Sequence, residues 1–299
     1  VAAAEPSTSE AAAPDYAPYL YTGWGDPPDP VAVMNETGTR AFTLAFVLSN
    51  GQCDPQWDGS RPLSGGADES TIQAIRDAGG DVVPSFGGWS GQKLEVSCPD
   101  ASALADAYFK VIDTYGLSAI DIDIEADAYD DPAVRQKTVD ALKLVKDSKP
   151  DVRVYVTFGT GQDGPDTSLI DTAAASGLTV DAWTIMPFNF GGNDQDMGEL
   201  TVRAAEGLKN AVRNAYGYDD AEAYAHSGIS SMNGRTDVGE VVDQDDFRTI
   251  VDYANANDLG RLAYWSVNRD RSCEGGGTDS CSGVPQQDWE FTRIFAGFQ

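Results

Sequence analysis

Three carboxylates at alternate positions of one apolar stretch are the residues best placed to do chemistry: Asp121, Asp123 and Glu125 in Leu117-Ser118-Ala119-Ile120-Asp121-Ile122-Asp123-Ile124-Glu125. Side chains alternate across a strand, so the acids share one face and Ile120, Ile122 and Ile124 the other. The isoleucine face suits packing beneath a layer of helices. The acidic face would be costly in an ordinary core, because unpaired buried charge is strongly disfavoured. A strand whose polar face merely meets water is the alternative reading. Same-face positions lie roughly 6.5–7 Å apart along a strand, so the carboxylates feel one another. Like charges that close do not all ionise together, and at least one acid is expected to hold its proton well above its free pKa. A protonated carboxyl beside ionised neighbours is the equipment of a general acid.

The elements that must position these acids follow from pattern. Short apolar runs predict strands over 16–22, 41–48, 81–86, 119–125, 152–158, 182–188, 223–229 and 261–267. Amphipathic runs predict helices over 71–78, 101–115, 132–148, 167–176, 201–216 and 244–257. Eight strands with intervening helices and no break in composition predict an α/β fold, a single (β/α)8 TIM barrel over residues 15–299. Residues 1–14, rich in Ala, Ser, Pro and Glu, are expected to form a disordered tail or linker. Active sites of such barrels sit at the C-terminal ends of the strands. Glu125, Phe86-Gly87-Gly88, Met186–Asn189 and Trp265 all fall there, on different strands. Paired glycines can serve a tight turn alone; here they would also leave room beside a ligand.

Composition narrows the partners. The formal net charge of the 299-residue chain is −28, with Asp far commoner than Glu, which argues against nucleic acid. No apolar run is long enough to cross a bilayer, so no membrane partner is expected. A neutral polysaccharide would not object to the charge. Such a surface resembles proteins of salt-loving organisms, with a merely acidic secreted protein as the alternative. Cys53, Cys98, Cys273 and Cys281 form no C-x-x-C pair, and the lone His226 cannot build a zinc site with them, so neither metal nor cofactor is expected. Four cysteines allow three disulfide connectivities. The Gly-rich loop between Cys273 and Cys281 favours a local bridge there, which leaves Cys53 with Cys98. Disulfides imply an oxidising compartment, hence a secreted, extracellular protein. The chain begins without Met, as after signal cleavage or excision of a domain, and leaves room for a carbohydrate-binding module upstream.

Asp-x-Asp-x-Glu after an apolar lead resembles the signature of family 18 glycoside hydrolases, the chitinases and their relatives. Ser85-Phe86-Gly87-Gly88 looks like that family's Ser-x-Gly-Gly, and Met186-Pro187-Phe188-Asn189 stands where it usually has Met-x-Tyr-Asp. Leu262-Ala263-Tyr264-Trp265-Ser266-Val267-Asn268 looks like its last barrel strand. The resemblance runs from about Tyr16 to the C-terminus. It is closest to compact secreted bacterial and archaeal forms, in which Asn-Arg-Asp follows the tryptophan and Gln-x-x-Trp-Glu-Phe closes the chain. Here these are Asn268-Arg269-Asp270 and Gln286-Gln287-Asp288-Trp289-Glu290-Phe291.

The resemblance implies a monomeric chitinase acting on chitin or chito-oligosaccharides, with retention by substrate-assisted catalysis. Glu125 would protonate the leaving oxygen, Asp123 would turn toward Glu125 and the acetamido N–H and stabilise an oxazolinium ion, and Asp121 would modulate the proton it shares with Asp123. Trp265 would form the sugar floor, with Met186, Phe188, Asn189, Gly87, Gly88 and Trp89 lining the cleft. Trp24 and Trp57 are candidate further platforms, whereas Trp183, Trp289 and His226 read as structural. Only a brief stretch separates the last two strands, so the α+β insertion of some relatives is expected to be absent. Two departures stand out: Ser118-Ala119 replaces the usual Asp-Gly, and neither Phe188 nor Phe190 supplies the hydroxyl expected near the acetamido group. The other readings are an endo-β-N-acetylglucosaminidase acting on N-glycans and a catalytically weak chitin-binding barrel.

Overall fold

Strands and helices alternate as the hydrophobic pattern requires, and the computed structural model describes residues 15–299; the expected tail lies outside the described residues. Among the described residues the strands are β1 (Tyr19–Tyr21), β2 (Ala41–Ser49), β3 (Pro55–Trp57), β4 (Asp81–Gly87), β5 (Ala119–Asp123), β6 (Arg153–Gly159), β7 (Ala182–Met186), β8 (Ser227–Met232), β9 (Gly234–Arg235), β10 (Val241–Val242) and β11 (Arg261–Trp265). The helices are α1 (Pro30–Thr37), α2 (Ala67–Asp77), α3 (Leu94–Ser97), α4 (Ala101–Tyr115), α5 (Asp127–Asp130), α6 (Pro132–Ser148), α7 (Ser168–Ala175), α8 (Met197–Tyr216), α9 (Asp220–Ala225), α10 (Gln244–Ala256) and α11 (Glu290–Phe295).

Eight strands run in the order β1-β2-β4-β5-β6-β7-β8-β11, each parallel to its neighbour. Strand β3 adds antiparallel to the end of β2, and β9 with β10 forms a small hairpin. Between β11 and β1 the ring closes through few bonds. Tyr16 bridges Leu262, and the Asn268 side chain exchanges two hydrogen bonds of 2.9 Å with the Tyr21 backbone. This is the TIM barrel expected from the sequence. Only the hairpin and α10 stand between β8 and β11, so the α+β insertion is absent.

Part of the acidic composition works as helix caps. Asp29, Asp100, Asp131, Asp196, Asp219 and Asp243 each accept a backbone N–H at a helix start. Each cap stabilises by about 1 kcal/mol. Three of these caps also correct the sequence expectations. Asp29 followed by Pro30 starts α1, which hydrophobic periodicity alone overlooked. Asp196 starts α8 at Met197, four residues before the expected 201. Asp219 starts a short helix that runs through Ala225, so the seventh barrel strand starts at Ser227 and not at 223.

The alternation along the strands sorts two layers. Ile120, Ile122 and Ile124 join the core between strands and helices, as does the outward face of every other barrel strand. Full burial stabilises each isoleucine by roughly 1.5–3 kcal/mol. Inside the ring, the floor is a small cluster of Ala17, Ala41, Val83, Ala119, Tyr155 and Ala182. Above it lies a polar tier: Thr43, Ser85, Asp121, Thr157, Thr184, Ser230 and Arg261, all buried. Small floor residues leave space for this tier. The disulfides are Cys53–Cys98 and Cys273–Cys281, the pairing expected from spacing.

Candidate active site

The register of β5 builds the acid stack. Asp121 pairs with Ser85 on β4 and Tyr155 on β6; Asp123 pairs with Gly87 and Thr157. Asp121 has no exposed surface and receives four donors: Tyr19 Oη at 2.6 Å, Ser85 Oγ at 2.7 Å, Thr157 Oγ1 at 2.7 Å and Arg261 Nη1 at 3.0 Å. One rung up, Asp123 is buried beside the Glu125 carboxyl, and its Oδ1 has no hydrogen-bond partner among the described residues. Strand pairing continues past Asp123, because Ile124 N donates to Thr157 O at 2.8 Å. Glu125 is thereby delivered, half-buried, at the C-terminal mouth.

Burial pushes the Asp123 carboxyl far above the usual range; the adjacent Glu125 carboxyl and the charge of Asp121 push the same way, and Lys93 opposes them. Glu125 is also raised, first by burial and then by Asp121 and Asp237, against the adjacent Asp123 carboxyl and Lys93. The two acids therefore titrate as a pair that keeps a proton where isolated carboxylates have lost theirs.

Gly87 and Gly88 are required where they stand. Their φ angles are +101° and +90°, and Gly88 N donates to Asp123 O at 3.0 Å. A Cβ on Gly87 would fall 2.3 Å from Asp123 O, and one on Gly88 would fall 2.7 Å from the Phe46 ring. The turn and the close approach are thus both real.

The mouth carries an aromatic rim. Trp265 ends β11 with its ring parallel to Phe46 at 5.5 Å, and Tyr19 and Tyr21 flank it at 5.7 and 5.9 Å. Trp89 and Trp24 stand out into solvent, 72% and 55% exposed. Trp57 does not: pairing of β3 with β2 sets it opposite Val47 and into the core, which removes it as a sugar platform. Trp183 is buried as expected, whereas Trp289 is half-buried with Arg271 over its ring at 5.6 Å. His226 Nδ1–H donates to Val180 O, 2.8 Å away, and the ring stacks on Tyr218, a structural placement. Met186 is partly exposed at the end of β7, and Phe188 and Phe190 are half-buried against the strand–helix core.

Asn189 adopts φ +55°, with its side-chain amide donating to Asp237 at 2.8 Å. Its backbone N–H donates to Glu240 at 2.6 Å. Fully buried, Glu240 also accepts from Phe190 N, Gly192 N and Thr236 Oγ1 and so clamps the loop after β7 to the small hairpin. Sequence reasoning missed Glu240, Asp237, Lys93 and Arg261. Parity could have found Arg261, since it shares the inward face of β11 with Ala263 and Trp265. No spacing signal marks the other three, which reach the site from loops. Among the described residues no cluster of His, Cys, Asp or Glu is arranged to hold a metal ion.

Glu95, on α3, lies behind the paired glycines: a Cβ on Gly87 would be 3.6 Å from its Oε1. Burial lifts its carboxyl to about 7, although its backbone hydrogen bond, Lys93, Tyr108 and Lys137 pull it down. An acid with a raised folded pKa binds more protons folded than unfolded, so stability falls as pH rises. The fall begins near the ordinary value of 4.5 and levels off above about 7. It amounts to roughly 3 kcal/mol in all. Glu95→Gln is expected to flatten this decline. Urea unfolding across that range checks it; a variant as pH-sensitive as the wild type would refute the assignment.

No family model matches the chain. It is 29% identical over 95% of its length to a probable bifunctional chitinase/lysozyme of Escherichia coli, and 29% identical over 85% to endochitinase 11 of Metarhizium anisopliae. It spans 34% and 52% of those relatives. The catalytic domain of a hyperthermophilic chitinase from Pyrococcus furiosus superposes with a TM-score of 0.84 at 30% identity, over 95% of this chain and 94% of that one. A family 18 chitinase from Pseudoalteromonas aurantia, at 15% identity and a TM-score of 0.56, shares the fold. With an acid stack on β5, paired glycines on β4 and a tryptophan closing β11 in one barrel, the chain belongs to the family 18 chitinases.

Proposed function

We propose that this chain hydrolyses the β-1,4 links between N-acetylglucosamine units of chitin and chito-oligosaccharides, with retention. The observation that carries the reading is the stack of Asp121, Asp123 and Glu125 on one strand at the C-terminal mouth, with Asp123 and Glu125 buried side by side and raised in their affinity for a proton. Retaining glycosidases of the two-carboxylate kind hold their acids about 5–5.5 Å apart across the scissile bond. Asp123 and Glu125 rise from the same face of one strand, side by side, so Asp123 approaches the sugar from the side of the acid. It is badly placed to attack the opposite face. The substrate's own 2-acetamido oxygen then supplies the nucleophile.

In this mechanism Glu125 gives its proton to the glycosidic oxygen as the acetamido oxygen bonds to the anomeric carbon and the glycosidic bond breaks. Asp123 accepts the acetamido N–H and stabilises the cationic ring. Ionised Glu125 next takes a proton from water as that water opens the ring. Trp265 offers its face to the sugar, and Gly87 and Gly88 leave room beside it. Met186, Phe188 and Asn189 line the other side, and exposed Trp89 and Trp24 extend the apolar track along a polymer. The disulfides suit an extracellular enzyme.

A panel of chitin, chito-oligosaccharides, peptidoglycan and an N-glycoprotein tests the reading. Release from chitin and its oligomers is the expected result. Peptidoglycan belongs in the panel because the E. coli relative is described as a chitinase/lysozyme. Cleavage of the N-glycan core alone, or binding without any release, would replace the proposal by one of its two rivals.

A further inference from the structure

Trp24 stands at the mouth, 55% exposed, on the loop between β1 and α1. Its ring meets Tyr21 edge-on at 4.9 Å, and Tyr21 lies 5.9 Å from Trp265, so the three rings form one continuous rim. The loop does little to hold itself. Gly25 and Asp26 take consecutive positive φ angles of +80° and +48°, and for Asp26 that conformation is uncommon. Among the described residues no backbone–backbone hydrogen bond involves 23–28. A segment with so few internal bonds takes its order from outside.

That order comes from one short stretch after β11. Asn268 Nδ2 donates to Trp24 O and Gly25 O at 3.4 Å each, besides Tyr21 O at 2.9 Å. Arg271 reaches one residue further: its Nη1 donates to Asp26 Oδ2 at 3.0 Å, and its Nη2 donates to Asp26 O. Among the described residues nothing else hydrogen-bonds to 23–28. Arg271 is itself built in. Its Nε donates to Asn268 O at 3.2 Å, its guanidinium carbon lies 5.6 Å from the centre of the Trp289 ring, and its side chain is 20% exposed. Its backbone O accepts from Ser282 N at 3.0 Å, across a loop closed by the Cys273–Cys281 disulfide. An exposed ion pair alone contributes little. This contact differs, because a fixed, planar guanidinium grips a main-chain oxygen and a carboxylate together.

We propose that Arg271 is a positioning residue for a sugar-binding platform at Trp24: by pinning Asp26 it holds the indole in line with Tyr21 and Trp265. The platform recognises the apolar face of a pyranose, so its occupant is a sugar unit beyond the one on Trp265. Arg271 itself touches no sugar. It governs how tightly a long chain binds and leaves the bond-breaking groups untouched. This inference rests on the reading of the chain as a hydrolase of chito-oligosaccharides.

The test compares wild type with Arg271→Met, which keeps the stem over Trp289 and removes the donors, with Arg271→Lys, and with Trp24→Ala. In R271M the KM for the chitin hexamer should rise about 2–10-fold, the effect of one stacked ring, while kcat holds. On the shortest oligosaccharide that wild type cleaves, both constants should stay at their wild-type values. R271K should fall between, since an ammonium lacks the fork that serves both acceptors of Asp26. In a W24A background R271M should add nothing, because the group it positions is gone. Hydrogen exchange of residues 22–28, read by mass spectrometry without any turnover, should speed up in R271M. A hexamer KM or an exchange rate that does not move in folded R271M overturns the proposal. So does a loss of the same size on the shortest substrate or in the W24A background, which assigns Arg271 to stability alone. Should R271M not fold, wild-type exchange and KM in R271K overturn it equally. If wild type cleaves no N-acetylated oligosaccharide, the functional reading fails; calorimetry with the hexamer then makes the same comparison, and equal affinities in wild type, W24A and R271M overturn the platform.

Discussion

Glu125→Gln is expected to lower kcat by roughly 10²–10⁴-fold on chito-oligosaccharides, while their affinity stays within a few-fold of wild type. The amide keeps the shape of the carboxyl, so the cleft that Trp265, Gly87 and Gly88 define is preserved. What is lost is the proton. Burial and the neighbouring acids hold that proton in the wild-type pair, and no amide can deliver one to a leaving oxygen at neutral pH. Calorimetry with an oligosaccharide and reducing-end release on the same sample separate the two effects. Turnover near the wild-type level would show that Glu125 is not the acid. Asp123→Asn should be similarly severe and should also reshape the pH profile, because the pair no longer titrates as a pair.

The barrel was legible because its parts are periodic. The alternation through Ile120–Glu125 gave both the face of the isoleucines and the face of the acids, and the structure places those isoleucines under the helices. The ends of elements were less legible where a cap and not a period decides them, as at Asp196 and Asp219. Of the site residues, those carried by strand ends could be named in advance, since a barrel directs strand ends to one mouth. The groups that act through the third dimension could not. Lys93 and Asp237 reach the pair from loops, Glu240 holds a loop from a hairpin, and Arg261 crosses the interior from β11 to β5. Nothing in linear spacing records a bond between residues 140 positions apart. Trp57 shows the opposite failure: it reads as a loop aromatic, and a short antiparallel strand buries it.

The second large effect concerns the nucleophile. If the acetamido oxygen attacks, two inversions occur at the anomeric carbon and the first product keeps the β configuration. A chitosan fully stripped of acetyl groups has no such oxygen, and its cleavage is expected to fall below detection. The loss is large because Asp123, the acid nearest Glu125, rises from the same strand face and approaches the ring from the same side. Bringing the nucleophile within the substrate also recovers the advantage of an intramolecular reaction, which reaches about 7–11 kcal/mol in favourable geometries. Thiazoline mimics of the oxazolinium ion should inhibit strongly, since they copy the charged ring that the Asp123 carboxylate would stabilise. Phe188 and Phe190 bring no hydroxyl to the acetamido group, so its orientation falls to the neighbours of the acid stack, Asp123 first among them. Proton NMR of a fresh chito-oligosaccharide digest, read before mutarotation, decides between the routes. Initial β-anomer supports the substrate-borne nucleophile. Initial α-anomer would mean a water attacking directly from across the ring, and it would overturn the mechanism while leaving the barrel and its acid pair as they stand.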